Sequence, residues 1–70
     1  MRKNLYLFRH SLHLSQDKMA QRIGCSRQTY SMIECGTRHG TMTFWNKLQQ
    51  AFNLSDEKKG VLQAVESKQA

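Results

Sequence analysis

Apolar residues recur along the chain at three- and four-residue steps and predict five helices separated by short polar breaks. Leu5, Phe8 and Leu12 mark the inner face of a first helix from Asn4 to Ser11 or Leu12. On a wheel begun at Gln16, the residues Met19, Ala20 and Ile23 form one stripe about 100° wide, the buried face of a second helix. A wheel begun at Arg27 divides a third helix in two: Thr29, Tyr30 and Ile33 lie on one side, and Arg27, Gln28, Ser31, Met32 and Cys35 on the other. That helix therefore has an apolar inner face and a hydrogen-bonding outer one. Met42, Trp45, Leu48 and Phe52 make the stripe of a fourth and most hydrophobic helix, with Phe44 and Ala51 at its edge. A stripe of methionine and aromatic residues at this spacing is expected to be core. The fifth helix is weaker, with Val61, Leu62 and Val65 on one side and Gly60 costing about 1 kcal/mol in its interior.

The breaks carry helix stop and start chemistry. Ser15 is placed to cap the second helix, with Gln16 and Asp17 in its first turn, where acceptors and negative charge suit free N–H groups and the helix dipole. Gly24 ends that helix, Ser26 caps the next and Gly36 ends it. Two capped helices joined across Gly24-Cys25-Ser26 fit a helix-turn-helix, with small Ala20 where the axes cross. Thr37 to Thr41 is a polar loop, and Ser55 caps the fifth helix. The expected fold class is all-α, a single domain over residues 1–66 with a frayed tail at 67–70.

Seventy residues are too few to enclose a deep substrate cleft, which argues against an enzyme. No carboxylate pair, nucleophile with a nearby base or phosphate-cradling glycine loop is present. The net charge of +6 lies entirely within residues 1–50, and such a domain attracts polyanions, nucleic acid above all. Cys25 and Cys35 would stand about 15 Å apart at the ends of one helix, too far for a disulfide. With His10, His13 and His39 they show no metal-site spacing, so neither a metal nor a cofactor is expected. No stretch approaches a membrane span or a signal-peptide core, and the expectation is a cytoplasmic protein.

Arg9 lies near the apolar stripe of the first helix and Glu34 at the border of the buried face of the third. A charge in either place needs a partner, which predicts a structural Arg9–Glu34 pair. A helix fits the DNA major groove, and side chains near its N-terminus reach base edges there. Arg27 and Gln28 hold those leading positions, suited to bidentate contacts with guanine and adenine respectively. Met32, one turn on, offers apolar contact to a thymine methyl. Gln16, Ser26, Ser31, Thr37 and Arg38 flank this helix as candidate phosphate contacts. For Ser26 the capping role competes.

Leu14-Ser15-Gln16, Met19-Ala20, Ile23-Gly24, Ser26-Arg27, Thr29-Tyr30-Ser31, Ile33-Glu34 and Gly36 together resemble the helix-turn-helix of the phage repressor and Cro, or XRE-like, family. The resemblance covers about residues 5–54. It implies a compact five-helix repressor-like domain, usually dimeric, that binds a palindromic double-stranded DNA operator with its third helix in the major groove. It also implies Gln16 as a phosphate contact, Arg27, Gln28 and Met32 as base-facing, and Arg9 with Glu34 as an ion pair. The segment from Phe44-Trp45 to Ala51-Phe52 is similar to small regulators of bacteria, phages and mobile elements. Two positions depart: Cys35 stands where the family often has a phosphate-contacting asparagine, and Gln49 where it often has alanine. The expected function is sequence-specific transcriptional regulation, most simply repression, by a homodimer. The alternative from another class is a protein-interaction module on the same fold, an antitoxin or phage-encoded inhibitor, using the exposed face of the fifth helix and the outer edge of the fourth, including Phe44.

Overall fold

The computed structural model describes residues 1–64, which form five helices: α1 Lys3–Ser11, α2 Gln16–Ile23, α3 Arg27–Cys35, α4 Met42–Phe52 and α5 Asp56–Gln63. Four of them start in the same way. The hydroxyls of Ser15, Ser26, Thr41 and Ser55 accept hydrogen bonds from the backbone N–H of Lys18, Thr29, Phe44 and Lys58, each at 3.1 Å. Each such cap is worth about 1 kcal/mol. Gly24 and Gly36 close α2 and α3 at φ of 96° and 92°, a left-handed conformation that a Cβ would strain. The Gly24 stop and the Ser26 cap together fix the length of the connection between α2 and α3. Val65 and the frayed tail expected at 67–70 lie outside the described residues.

The core gathers one or more side chains from every helix: Leu5 of α1, Met19, Ala20 and Ile23 of α2, Tyr30 and Ile33 of α3, Phe44, Trp45 and Leu48 of α4, and Leu62 of α5. Helix α2 packs on α3 and α4, while α1 packs on α5 and α3. Ala20 is buried between these neighbours, and Ala20→Leu should destabilise the protein by about 1–3 kcal/mol in urea unfolding, because the added atoms can be placed only by parting the helices.

The face of α4 differs from the stripe read on its wheel. Met42 is 79% exposed, whereas Phe44 is only 6% exposed and stands edge-on to Trp45 at 4.9 Å. Met42 is the first residue of the helix and lies at its open end, and Phe44 turns inward because α3 contributes Tyr30 on that side, 6.4 Å between ring centres. Phe44 is thus core and not part of an exposed docking edge. Leu12 and Val61, expected on inner faces, are 38% and 43% exposed. Leu12 forms the C-cap of α1 instead of continuing its stripe, and Leu62 alone carries the described part of α5 into the core. Gln49 has a task that alanine could not perform: its amide donates to the Leu54 carbonyl at 3.0 Å and to Asp56 Oδ1 at 2.8 Å, tying the end of α4 to the start of α5.

Candidate nucleic-acid interface

Two-sidedness in α3 follows directly from what each side meets. Tyr30, Ile33 and Glu34 are buried, whereas Arg27 and Gln28 are exposed at the start of the helix and Ser31 and Met32 are half-buried beside them. These four line a shallow open hollow of about 440 Å³. Thr37 and Arg38 are exposed just beyond the far end of α3, and half-buried Gln16 begins α2 next to it. Gln16 and Ser31 also line a neighbouring hollow together, so Gln16 adjoins the surface of Arg27, Gln28 and Met32, whereas Arg38 lines another hollow with Thr29, Ile33 and Phe44. Ser26 sits differently, since its hydroxyl accepts from Thr29 N–H and donates to Thr29 Oγ1 at 2.9 Å, so both its hydrogen-bonding roles serve the helix start.

Behind that surface a polar network locks α3 to α1 and α2. Arg9 Nε donates to Glu34 Oε2 at 2.8 Å and Arg9 Nη2 to Oε1 at 3.3 Å, while Arg9 Nη1 reaches the Leu14 carbonyl at 2.8 Å. Tyr30 Oη donates to Glu34 Oε2 at 2.7 Å and Gln16 Nε2 to Oε1 at 2.9 Å. Burial by itself pushes the Glu34 carboxyl up, but the hydrogen bonds from Arg9, Tyr30 and Gln16, together with the charge of Arg9, outweigh it and hold the group below its usual range. The bond to Glu34 raises Arg9, and burial with the same carboxylate drives the Tyr30 phenol well above its ordinary value. At neutral pH the network is one carboxylate, one guanidinium and one neutral phenol. Gln16 gives one amide hydrogen to Glu34, and a primary amide carries a second.

A helix-turn-helix family model matches residues 5–59 of the chain. The protein belongs to the XRE, or phage repressor and Cro-like, helix-turn-helix family. No curated protein and no solved structure gives a significant match. The family is one of DNA-binding regulators and not of enzymes, and this XRE-type protein is a DNA-binding regulator. The matched residues include both α2 and α3, the two helices joined across Gly24-Cys25-Ser26.

Arg2 is a residue of this XRE-type protein that sequence reasoning counted only as charge. It is 2% exposed, and its guanidinium donates to the carbonyls of Ile33, Arg38 (2.8 Å), His39 (3.2 Å) and Gln63 (3.0 Å) while lying 5.3 Å from the Trp45 ring centre. Burial lowers its pKa from the ordinary guanidinium value. The Ile33 carbonyl lies in the last turn of α3 and the Gln63 carbonyl at the end of α5, both at the negative end of a helix dipole, which offsets burial of the cation. No local pattern could have revealed this, because every partner lies at least 31 residues away.

Cys35 is exposed on the last turn of α3 and Cys25 half-buried in the turn, both as free thiols. Burial raises the Cys25 thiol pKa, partly countered by Lys47. Among the described residues no three His, Cys, Asp or Glu side chains gather as a metal site, and no helix is long and apolar enough to cross a membrane.

Proposed function

We propose that this protein is a sequence-specific transcriptional repressor that binds a palindromic operator as a homodimer, with α3 in the major groove of each half-site. The observation that carries this reading is the exposure of Arg27 and Gln28, side by side at the start of a helix whose opposite face is locked into the core. Arg27 and Gln28 read base edges, and Met32 adds apolar contact. Gln16, Ser31, Thr37 and Arg38 set the register on the phosphates, and Ser26 chiefly preserves the helix start. Repression then follows from occupancy, by covering a promoter. Support for the homodimer comes from Leu7 and Val61, each an exposed apolar side chain, one on α1 and one on α5, two helices that pack together; burying either against a second copy would be favourable.

Selection of bound sites from random DNA tests the reading as a whole. A palindrome with half-site centres about 34 Å apart is expected, and recovery of no repeated half-site would remove the dimer. On the recovered site, Arg27→Ala should weaken binding by about 1–3 kcal/mol and relax base preference at one position, whereas Arg38→Ala should weaken all sequences alike. Unchanged affinity and preference in Arg27→Ala would overturn the reading helix. Affinity should also fall steeply between about 50 and 200 mM salt, as counterion release from several phosphates requires.

A further inference from the structure

The loop from Thr37 to Thr41, between α3 and α4, has little hydrogen bonding of its own. Its first two N–H groups, of Thr37 and Arg38, bond back to the Met32 carbonyl at 3.0 and 3.2 Å. Its next two carbonyls, of Arg38 and His39, point inward to the guanidinium of Arg2, and the His39 carbonyl also accepts from Trp45 Nε1 at 3.0 Å. The same guanidinium holds the Ile33 carbonyl in α3, and the Arg2 backbone N–H donates to the Glu34 carbonyl at 2.8 Å. One planar fork of donors thus fixes the end of α3 and the loop that carries Arg38 in a single arrangement. Arg2 is too deeply buried to touch DNA itself, whereas the Arg38 side chain, whose own carbonyl Arg2 grips, is exposed.

We propose that Arg2 is a positioning residue for DNA binding: it sets the place of the 38–39 backbone relative to α3, and through it the place at which the Arg38 guanidinium meets a phosphate. This rests on the reading of Arg38 as a phosphate contact. A role confined to stability would lower the folded fraction and so reduce binding by every variant in the same proportion. A positioning role couples Arg2 to Arg38 and leaves Arg27, at the other end of α3, independent.

A double-mutant cycle separates the two. Affinity for a duplex of about three helical turns, carrying the site recovered by selection, is measured for the native chain, Arg2→Met, Arg38→Ala and the double variant, with each value corrected for the folded fraction read from far-ultraviolet circular dichroism. Arg38→Ala is expected to weaken binding about tenfold in the native chain but less than about twofold in Arg2→Met, while Arg27→Ala costs the same in both backgrounds. Equal Arg38→Ala losses in the two backgrounds overturn the positioning role and leave Arg38 as a phosphate contact. No Arg38→Ala loss in the native chain overturns the phosphate contact itself, and the inference with it. If Arg2→Met does not fold, the cycle is run on Arg2→Lys, which keeps the charge but presents one compact ammonium in place of the fork. Coupling there supports the role, and additivity overturns it.

Discussion

Glu34→Ala should destabilise the protein by about 3–5 kcal/mol, enough to leave a domain of this size largely unfolded, since its whole stability is on the order of 4–10 kcal/mol. The change does more than delete one ion pair. It leaves Arg9 buried with one carbonyl partner, and it strips the Tyr30 hydroxyl and the Gln16 amide of the acceptor they share. A buried cation without its counter-charge is what makes the loss large. Trp45, the one tryptophan in the chain and 2% exposed, reports the transition in urea by its emission. The double variant Arg9→Met/Glu34→Leu should recover part of the loss, because no charge is then left buried. A Glu34→Ala loss under about 1 kcal/mol would mean that the network contributes no more than one ordinary hydrogen bond.

The same carboxylate gives stability a pH dependence of definite sign. Because its folded pKa lies below its unfolded one, the stabilisation is fully present above the unfolded carboxylate value and is lost as pH falls through the folded value. Acid should therefore unfold the native chain more steeply than Glu34→Gln, which has no proton to take up at that position. Parallel acid profiles for the two would remove Glu34 as the source.

How much of this was legible in the sequence depended on whether the signal was local. The bounds of α2 and α3 could be read because Ser15, Gly24, Ser26 and Gly36 act within one turn of their own position, through caps and a left-handed φ. Glu34 and Arg9 could be suspected because each is a charge near an apolar stripe, which asks for a partner wherever it is. Gln16 was legible only in part, because nothing near it in the sequence reveals that its amide is shared with a carboxylate 18 residues on. Phe44 and Met42 were exchanged because a single wheel assumes one buried side, whereas α4 is covered by neighbours on more than one and is open at its first turn. Arg2 left no trace, since main-chain carbonyls, the groups that receive it, are the same in every sequence.

Trp45→Ala should cost about 3–5 kcal/mol, and Trp45→Phe only about 1–2 kcal/mol, in urea unfolding followed by far-ultraviolet circular dichroism. The alanine variant opens a cavity against the edge-on ring of Phe44 and removes the face on which the Arg2 guanidinium rests. It also deletes the indole N–H that holds the His39 carbonyl. Phenylalanine restores most of the volume and a ring for Arg2 but not that donor, so the gap between the two variants measures packing apart from the hydrogen bond. The smaller change bears more on function: with the His39 carbonyl left to Arg2 Nη2 alone, at 3.2 Å, the loop carrying Arg38 is held by one side chain in place of two. Trp45→Phe should therefore weaken DNA binding beyond its effect on the folded fraction, and by a similar factor on every sequence, because phosphates and not bases are what that loop would meet. A loss confined to the selected site would place the effect on Arg27 and Gln28 instead, and a tilt of α3 would then be the simpler account.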